Sequence, residues 1–385
     1  MPPPVRKAAK GAKGKKARTR RGGTRTRANK KASEKTSTSM DDEGTKSYVV
    51  TPQIIITNLL GNDVKKKVNT DIENNVLRWL FRTCVEKGVA GLRAEFNAFK
   101  RTVDPSACQA FNAIPQGTKN RYRDVVCLDS SRVVLKGAKG SDYIHANYVS
   151  SPLSDRRFIC TQGPNEQTCG DFWRMVYQEQ CMTIFMLCNY IEKGMKKCAD
   201  YLPTTESQEM NFEEFNLICR SSKLLDLPKE YCHPSTKIQI TTLQLSIGKS
   251  DKVMHVDHYH WQDWPDRGVP PADLTPVYLM QCVRMIKTPI VIHCSAGIGR
   301  TGSVCMIQGI LEFFQCGAPF ERSDEILLKI REQRALSIQN DIQYLFVHRV
   351  LLEYFQKMGL LEGRGAQIEK HIKKFIVEYD AATAM

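Results

Sequence analysis

The 385-residue sequence has no uninterrupted run of 18 apolar residues, so no transmembrane helix is expected. Its N-terminus is basic and polar, without the apolar segment of a secretory signal peptide, so no export signal is expected. No two of the 14 cysteines form a Cys-x-x-Cys pair, which argues against a zinc ribbon or a thioredoxin-type motif. A long chain without an export signal favours reduced thiols and a cytoplasmic or nuclear location.

Acidic residues are nearly missing from the first 40 positions, and this accounts for most of the overall charge of +15. Residues 1–40 hold 14 Lys and Arg against one acid, Glu34, whereas the remainder has 42 basic and 40 acidic residues. Residues 1–46 also have almost no large apolar side chains, so burial cannot offset the entropy lost on ordering. We therefore expect a disordered basic tail over 1–46, with order beginning near Ser47.

Three interpretations of this tail stay open. It is a solvated arm without a specific partner, a nuclear-import signal, or an electrostatic clamp for nucleic acid or an anionic membrane surface. Residues 1–40 contain no Trp, Tyr or Phe, which argues against base stacking by this segment.

The rest of the chain combines helical and strand patterns. Apolar residues three and four apart predict a helix over 71–87, interrupted by Gly88, and a second helix through Phe99. Short apolar or alternating segments predict strands at 125–128, 133–135, 143–144, 158–159, 183–187, 212–217, 238–245 and 289–292. Further helices are predicted at 303–311, 324–334, 341–357 and 367–379. The simplest arrangement is an α/β (α+β) fold, a mixed β-sheet with helices on both sides.

The last predicted helix has an apolar face formed by Ile368, Ile372, Phe375 and Ile376. We favour docking of this face onto the domain over binding of a partner helix.

The most informative segment is Ile-His-Cys-Ser-Ala-Gly-Ile-Gly-Arg-Thr-Gly at 292–302. An apolar strand leads into it and a helical segment follows, so backbone N–H groups and the helix dipole should favour an anion there. A cysteine in that field, Cys294, should ionise near neutral pH. Arg300 adds a planar fork that suits two phosphate oxygens. The pattern predicts a thiolate nucleophile facing a bound phosphoryl group.

A thiolate that attacks a phosphomonoester needs a general acid, because the departing oxygen must be protonated at neutral pH. Asp266, in the segment 260–271, is the best candidate, because proline and glycine on either side indicate a loop that changes shape between fixed ends. Trp264 would anchor the hinge of this loop. Asp263 and Asp257 are weaker rivals for the acid.

Over residues 90–357 the chain resembles the tyrosine-specific, cysteine-dependent protein phosphatases, of the non-receptor type with a single catalytic domain. His-Cys-Ser-Ala-Gly-Ile-Gly-Arg-Thr-Gly at 293–302 fits the family's His-Cys-x5-Arg-Ser/Thr signature, and Trp-Pro-Asp at 264–266 resembles its mobile acid loop. Segments 119–125, 192–198 and 331–343 resemble the family's substrate-recognition loop, its glutamate- and lysine-bearing loop and its glutamine loop.

The resemblance implies the family's highly twisted mixed sheet flanked by helices. The catalytic domain would span 47–360, after the tail at 1–46 and before a C-terminal amphipathic helix and tail at 361–385.

The resemblance also implies site residues. Five are implied to be catalytic: Cys294 as nucleophile, Asp266 as acid and then base, Gln339 positioning water, and Arg300 and Thr301 assisting at phosphate and sulfur. Those implied to bind substrate are Tyr122, Asp124, Ser295, Ala296, Gly297, Ile298, Gly299 and Gln343. Those implied to support them are His293, Glu192, Lys197 and Trp264. Tyr122 would line a deep pocket that measures the length of the substrate side chain.

We therefore expect hydrolysis of phosphotyrosine in proteins through a cysteinyl-phosphate intermediate, with no metal and no cofactor. One alternative is a phosphatase for phosphoserine or phosphothreonine, lipid or RNA 5′-phosphate, which the recognition loop with Tyr122 disfavours. Another is a phosphotyrosine-binding module without turnover, which intact Cys294, Asp266 and Gln339 disfavour.

Three positions depart from the family pattern. They are His145 where asparagine is usual, Leu202 where an aromatic residue is usual, and Arg267 after the acid-loop aspartate. The first of these puts a local hydrogen-bond network in question.

Overall fold

The computed structural model describes residues 70–384, apart from residues 139, 249, 318, 319 and 321. The tail predicted at 1–46 and the predicted start of order near Ser47 lie outside these residues. The described part is an α/β fold with a nine-stranded mixed sheet flanked by helices, which confirms the predicted fold class.

The strands are β1 (Arg132–Val134), β2 (Tyr143–Ser151), β3 (Ser154–Gln162), β4 (Thr183–Met186), β5 (Ile191–Glu192), β6 (Met195–Lys196), β7 (Glu209–Phe212), β8 (Phe215–Leu224), β9 (Ile238–Ile247), β10 (Val253–Trp261) and β11 (Ile290–Cys294). The order in the large sheet is β1-β2-β3-β11-β4-β10-β9-β8-β7, and β5 and β6 form a separate hairpin. The neighbours β3, β11, β4 and β10 are parallel, and the outer pairs are antiparallel. All five residues of β11 are buried, as expected for a central parallel strand.

The helices are α1 (Thr70–Leu80), α2 (Gly88–Ala98), α3 (Gln109–Asn112), α4 (Cys169–Gln178), α5 (Thr275–Cys282), α6 (Gly299–Gln315), α7 (Ser323–Arg331), α8 (Asp341–Lys357) and α9 (Ala366–Thr383). A π-helical segment, Phe81–Lys87, follows α1, and a 3₁₀ turn, Pro105–Cys108, precedes α3. Gly88 has φ of +60° after the π-helical segment, which agrees with the predicted interruption. Among residues 70–384, no helix combines the length and apolar character needed to cross a membrane.

Helix α9 packs against the domain through the face that the sequence indicated. Ile372, Phe375 and Tyr379 are buried, while Ile368 and Ile376 are partly buried against the core. The neighbours of α9 are α8, α2 and the π-helical segment. Docking onto the domain is therefore confirmed for this helix.

Two strand predictions were wrong. Residues 125–128 form no strand, because their backbone carbonyls bond to side chains instead of to a neighbouring strand. The carbonyl of Val125 accepts from His145 Nε2 at 2.8 Å, and that of Leu128 accepts from Asn147 Nδ2 at 3.0 Å. Residues 212–217 do not form one strand: Phe212 ends β7, residues 213–214 form a turn in which Glu213 has φ of +54°, and β8 begins at Phe215.

Six elements were not predicted: α3, α4, α5, β5, β6 and β10. In β10, His258 is buried and forms a 2.7 Å hydrogen bond with Tyr201, so a polar residue occupies a core position and obscures the apolar pattern.

All 14 cysteines lie within the described residues and are free thiols. Cys316, which follows α6, is exposed and Cys282 is half-buried, while the other twelve are buried.

Candidate active site

The loop that carries Cys294 joins the end of β11 to the start of α6. Its carbonyls are bound from behind: Ser295 O by the Gly163 N–H at 3.0 Å, and Ile298 O by the Ile338 N–H at 2.9 Å. Because the N–H of each following residue points the opposite way across its peptide, a row of N–H groups faces the other side of the loop. The Gly297 N–H donates to Cys294 Sγ at 3.2 Å, so this side of the loop faces the sulfur.

Gly297 is required by the path of this loop. It has φ of +70°, and a Cβ at this position would lie 2.0 Å from the carbonyl oxygen of Thr161. Only glycine combines that conformation with so close an approach to β3.

Arg334 supplies the remaining support behind the loop, and the sequence-based reasoning did not identify it. Its side chain is fully buried and donates to Gly297 O and Ala296 O, both at 3.0 Å. It also donates to Asn147 Oδ1 at 2.8 Å. A charged residue among apolar neighbours in the segment 334–338 was the available signal, but sequence alone does not show that it is buried.

His145, the departure whose network was in question, belongs to the same arrangement. Its Nδ1 accepts from Arg334 at 3.1 Å, and its Nε2 donates to Val125 O at 2.8 Å. Burial, and then the charge of Arg334, lower the pKa of His145 to about 3, so the ring is neutral and can accept from the guanidinium. The network is therefore complete with histidine in this position.

Arg300, at the start of α6, is buried and forms an ion pair with Glu192. The two guanidinium nitrogens donate to the two carboxylate oxygens at 2.6 and 2.7 Å, and Nη1 also donates to Leu187 O at 2.8 Å. This bidentate pair fixes the plane of the guanidinium beside Cys294.

Asp266 reaches into the same cleft. One carboxylate oxygen lies 3.1 Å from Arg300 Nη2 and the other lies 3.0 Å from Lys197 Nζ. Partial burial would raise the pKa of Asp266, but the hydrogen bond from Lys197 and the charge of Arg300 outweigh it and hold the pKa below its usual value. The structure therefore places the Asp266 carboxylate in the cleft that also contains Cys294, and the ionised form of Asp266 is favoured in this arrangement.

Trp264 anchors the loop that carries Asp266. Its ring is buried, with edge contacts to Trp261 and Phe346 at centroid distances of 4.8 and 5.4 Å. Its Nε1 donates to Gly268 O at 3.3 Å, which closes the loop on itself.

The two rival aspartates have other partners. Asp263 Oδ1 accepts from the Lys237 N–H at 2.9 Å, and Asp257 Oδ1 accepts from Thr242 Oγ1 at 2.8 Å. Neither residue lines the cleft around Cys294.

This cleft has a volume of about 410 Å³. The predicted site residues that line it are Tyr122, Asp124, Lys197, Asp266, Cys294, Ser295, Ala296, Gly299, Arg300, Gln339 and Gln343. Arg121, Val125, Met195, Lys196 and Arg267 also line it and were not predicted as site residues. Segments far apart in sequence thus meet around one thiol.

Tyr122 forms one wall of the cleft. Its hydroxyl lies 2.7 Å from Ser295 Oγ, which donates in turn to Lys197 O at 3.1 Å, so Tyr122 is the donor of the first bond. Asp124 is exposed at the mouth.

The two glutamines lie at the start of α8. Gln339 is exposed in the cleft, and its N–H donates to the buried Gln343 Oε1 at 3.0 Å. A Cβ at Gly299 would lie 2.9 Å from the Gln343 amide, so the first residue of α6 and this side chain are in close contact.

Thr301 and His293 lie behind the cleft. The Thr301 hydroxyl is buried and has no hydrogen-bond partner among the described residues. His293 Nε2 bonds to the Tyr201 hydroxyl at 2.7 Å, and burial lowers the pKa of His293 to about 3. A neutral, buried ring agrees with a role in shaping the loop.

Residues 116–353 match the family model described as protein-tyrosine phosphatase. The chain is 34% identical over 283 residues to Receptor-type tyrosine-protein phosphatase H of Homo sapiens, covering 70% of this chain and 24% of that protein. It is 32% identical over 259 residues to Tyrosine-protein phosphatase non-receptor type 12 of Homo sapiens, covering 65% and 32%. It is 32% identical over 293 residues to Tyrosine-protein phosphatase Lar-like of Caenorhabditis elegans, covering 74% and 12%. The match thus covers about a third or less of each of these relatives.

Proposed function

This chain belongs to the protein-tyrosine phosphatase family, and on that premise we propose that it hydrolyses phosphotyrosine in proteins through a cysteinyl-phosphate intermediate. The observation that carries the proposal is the convergence of Cys294, Arg300 and Asp266 in one cleft. No metal and no cofactor take part in the proposed reaction.

In the first step the Cys294 thiolate attacks phosphorus in line with the tyrosyl oxygen. The N–H groups of 295–300 and the Arg300 guanidinium hold the equatorial oxygens of the phosphoryl group. A bound dianion occupies Arg300, which removes part of the charge that keeps Asp266 ionised. The pKa of Asp266 then rises, and the carboxylic acid protonates the departing tyrosyl oxygen.

In the second step water releases phosphate from the sulfur. Gln339 positions this water, with Gln343 holding the Gln339 backbone, and Asp266 accepts its proton. The Thr301 hydroxyl, buried and without a partner among the described residues, donates to the departing thiolate.

Other residues confine the substrate. Tyr122, whose hydroxyl bonds to Ser295, flanks the phosphotyrosine ring. The depth of the cleft favours phosphotyrosine over the shorter phosphoserine and phosphothreonine side chains. Asp124, exposed at the mouth, contacts the peptide backbone of the substrate. The backbone of Ser295, Ala296, Gly297, Ile298 and Gly299 binds phosphate, and the residues that hold this arrangement in place are His293, Glu192, Lys197 and Trp264.

For the whole chain, the proposed organisation is a basic tail at 1–46, a catalytic domain at 47–360 and a C-terminal helix and tail at 361–385. The charge of residues 1–40 supports contact with nucleic acid or an anionic surface, and a cytoplasmic or nuclear location.

The test compares hydrolysis of phosphotyrosine peptides, phosphoserine peptides and an RNA 5′-phosphate. We expect activity on phosphotyrosine, a loss of about 10⁴-fold or more in Cys294→Ser, and a loss of about 10²–10⁴-fold in Asp266→Ala. Cys316→Ser, which changes an exposed thiol, is the matched control and should retain full activity. Undiminished activity in Cys294→Ser would overturn the mechanism, and a preference for phosphoserine or RNA would overturn the substrate class.

A further inference from the structure

Asn340 links two parts of the site through the two ends of one amide group. It is the N-cap of α8, and its Oδ1 accepts from the Gln343 N–H at 2.9 Å. Its Nδ2 donates to the backbone carbonyl of Arg267 at 2.8 Å. One side chain therefore joins the helix that begins beside Gln339 to the loop that carries Asp266.

The carbonyl that Asn340 binds belongs to a strained residue. Arg267 has φ of +59°, a left-handed conformation that residues other than glycine seldom adopt. Such a conformation persists only where surrounding contacts hold it. The neighbouring contacts, Gly268 N–H to Pro265 O at 3.2 Å and Trp264 Nε1 to Gly268 O at 3.3 Å, close the turn internally. Among the hydrogen bonds of residues 264–268, the bond from Asn340 is the one that ties the turn to α8.

The residue before Arg267 is Asp266, whose carboxylate contacts Lys197 at 3.0 Å and Arg300 at 3.1 Å. Fixing the Arg267 carbonyl therefore restricts the backbone that aims this carboxylate into the cleft. We propose that Asn340 is a positioning residue that holds the Asp266 loop in its inward arrangement. This inference rests on the proposed function for its kinetic consequence, but the contact itself does not depend on it.

The alternative is that Asn340 only caps α8, and a single substitution separates the two roles. Asn340→Asp keeps an oxygen that can accept from Gln343 N–H and removes the donor to Arg267 O. Asn340→Ala removes both. Asp104→Ala, which removes a cap of the turn at 105–108, is the control for a loss of stability at another site.

The kinetic readout uses two substrates that differ in their need for a proton. Phenyl phosphate has a poor leaving group and depends on Asp266, whereas p-nitrophenyl phosphate has a good one and depends on it less. Since loss of one hydrogen bond shifts an equilibrium by about three- to tenfold, Asn340→Asp should lower kcat/KM for phenyl phosphate by that factor. The loss for p-nitrophenyl phosphate should be smaller. Measuring at high salt screens the added charge.

A second readout does not depend on activity. Amide hydrogen exchange should quicken by about three- to tenfold at residues 266–269 in Asn340→Asp, while the first turn of α8 keeps its protection. In Asn340→Ala both segments should exchange faster, and in Asp104→Ala neither should.

Wild-type exchange at residues 266–269 in Asn340→Asp would overturn the positioning role, whether or not the enzyme is active. Equal losses on both substrates, accompanied by faster exchange in α8, would also overturn it, because they would reduce Asn340 to a helix cap. A wild-type protein without Cys294-dependent hydrolysis would overturn the proposed function, while the exchange data would still decide the role of Asn340.

Discussion

Arg334 shows how a buried charge can organise the Cys294 loop from outside the cleft. Its guanidinium binds two carbonyls of the Cys294 loop, together with Asn147 and the neutral ring of His145. With these carbonyls turned backward, the N–H groups of the next residues point to the opposite side of the loop, where Gly297 N–H donates to Cys294 Sγ. A buried charge that loses its partners is strongly destabilising, so these contacts favour a single conformation of the Cys294 loop.

Buried histidines give the molecule a defined response to acid. Burial lowers the pKa of His348 to about 4, from the 6.5 of an unperturbed histidine, while His145 and His293 fall to about 3. Below pH 6.5 these histidines are protonated in the unfolded chain but stay neutral in the folded protein. The free energy of unfolding therefore falls as pH falls toward these values.

Replacing one such histidine should reduce this sensitivity. Between pH 7 and pH 5, the free energy of unfolding measured with urea should fall by about 2 kcal/mol less in His348→Gln than in the wild type. An identical loss in both proteins would show that His348 does not exclude a proton in the folded state.

At this scale, the predictable site residues are those whose immediate sequence neighbours indicate their chemistry. Cys294 and Arg300 flank one glycine loop, and Asp266 lies in a loop bounded by proline, so local chemistry identifies them. Arg334 and Asn340 act through contacts with residues distant in sequence, and such contacts leave no local pattern.

Among the elements, the turn between β11 and α6 has the least tolerance for an added atom. Gly297→Ala places a Cβ 2.0 Å from Thr161 O, so either the loop or β3 must move. We expect a loss of stability of about 2–4 kcal/mol and a loss of activity of at least about 100-fold.

Gly117→Ala is the matched control for Gly297→Ala, because Gly117 also has a positive φ, +77°, but a Cβ there meets nothing within 4 Å. Gly117→Ala should lower the free energy of unfolding by only about 1 kcal/mol and leave kcat/KM unchanged. Urea unfolding and kinetics on both variants check the comparison, and equal effects would contradict the steric explanation.

Elements were predictable where the local pattern and the packing agree. Helix α8 has the predicted bounds, since its apolar face is continuous and Asn340 caps its first turn. Strand β10 was missed because His258 takes a core position, and residues 125–128 were misread because side chains satisfy their backbone. In each failure a polar side chain replaces the contact that the pattern assumes.

On the scale of the whole molecule, the cleft residues meet at the end of the central parallel strands of the sheet. Strand β11 lies between β3 and β4, and its last residue is Cys294. The loops that reach this strand end come from residues 121–125, 195–197, 266–267 and 339–343, so no single segment contains the whole cleft.

Deleting residues 1–40 should separate catalysis from electrostatic contact. The deletion removes 14 Lys and Arg, so RNA binding at low salt should weaken and its dependence on salt should flatten. Hydrolysis of a short phosphotyrosine peptide should stay unchanged. A chain of full length with the tail Lys and Arg replaced by Gln is the control for length, and unaltered RNA binding in both variants would exclude the clamp.

The distribution of thiols along α6 makes the molecule accessible to spectroscopy. Cys294 lies just before this helix, within the cleft, and the exposed Cys316 lies just after its last turn. A bulky neutral maleimide dye would attach at Cys316, whereas the cleft admits a small chromophore that carries a phosphate. The 17 residues of α6 separate the two ends by roughly 25 Å, a span well suited to energy transfer between dye and ligand. Substrate binding could thus be followed optically without adding or removing a cysteine.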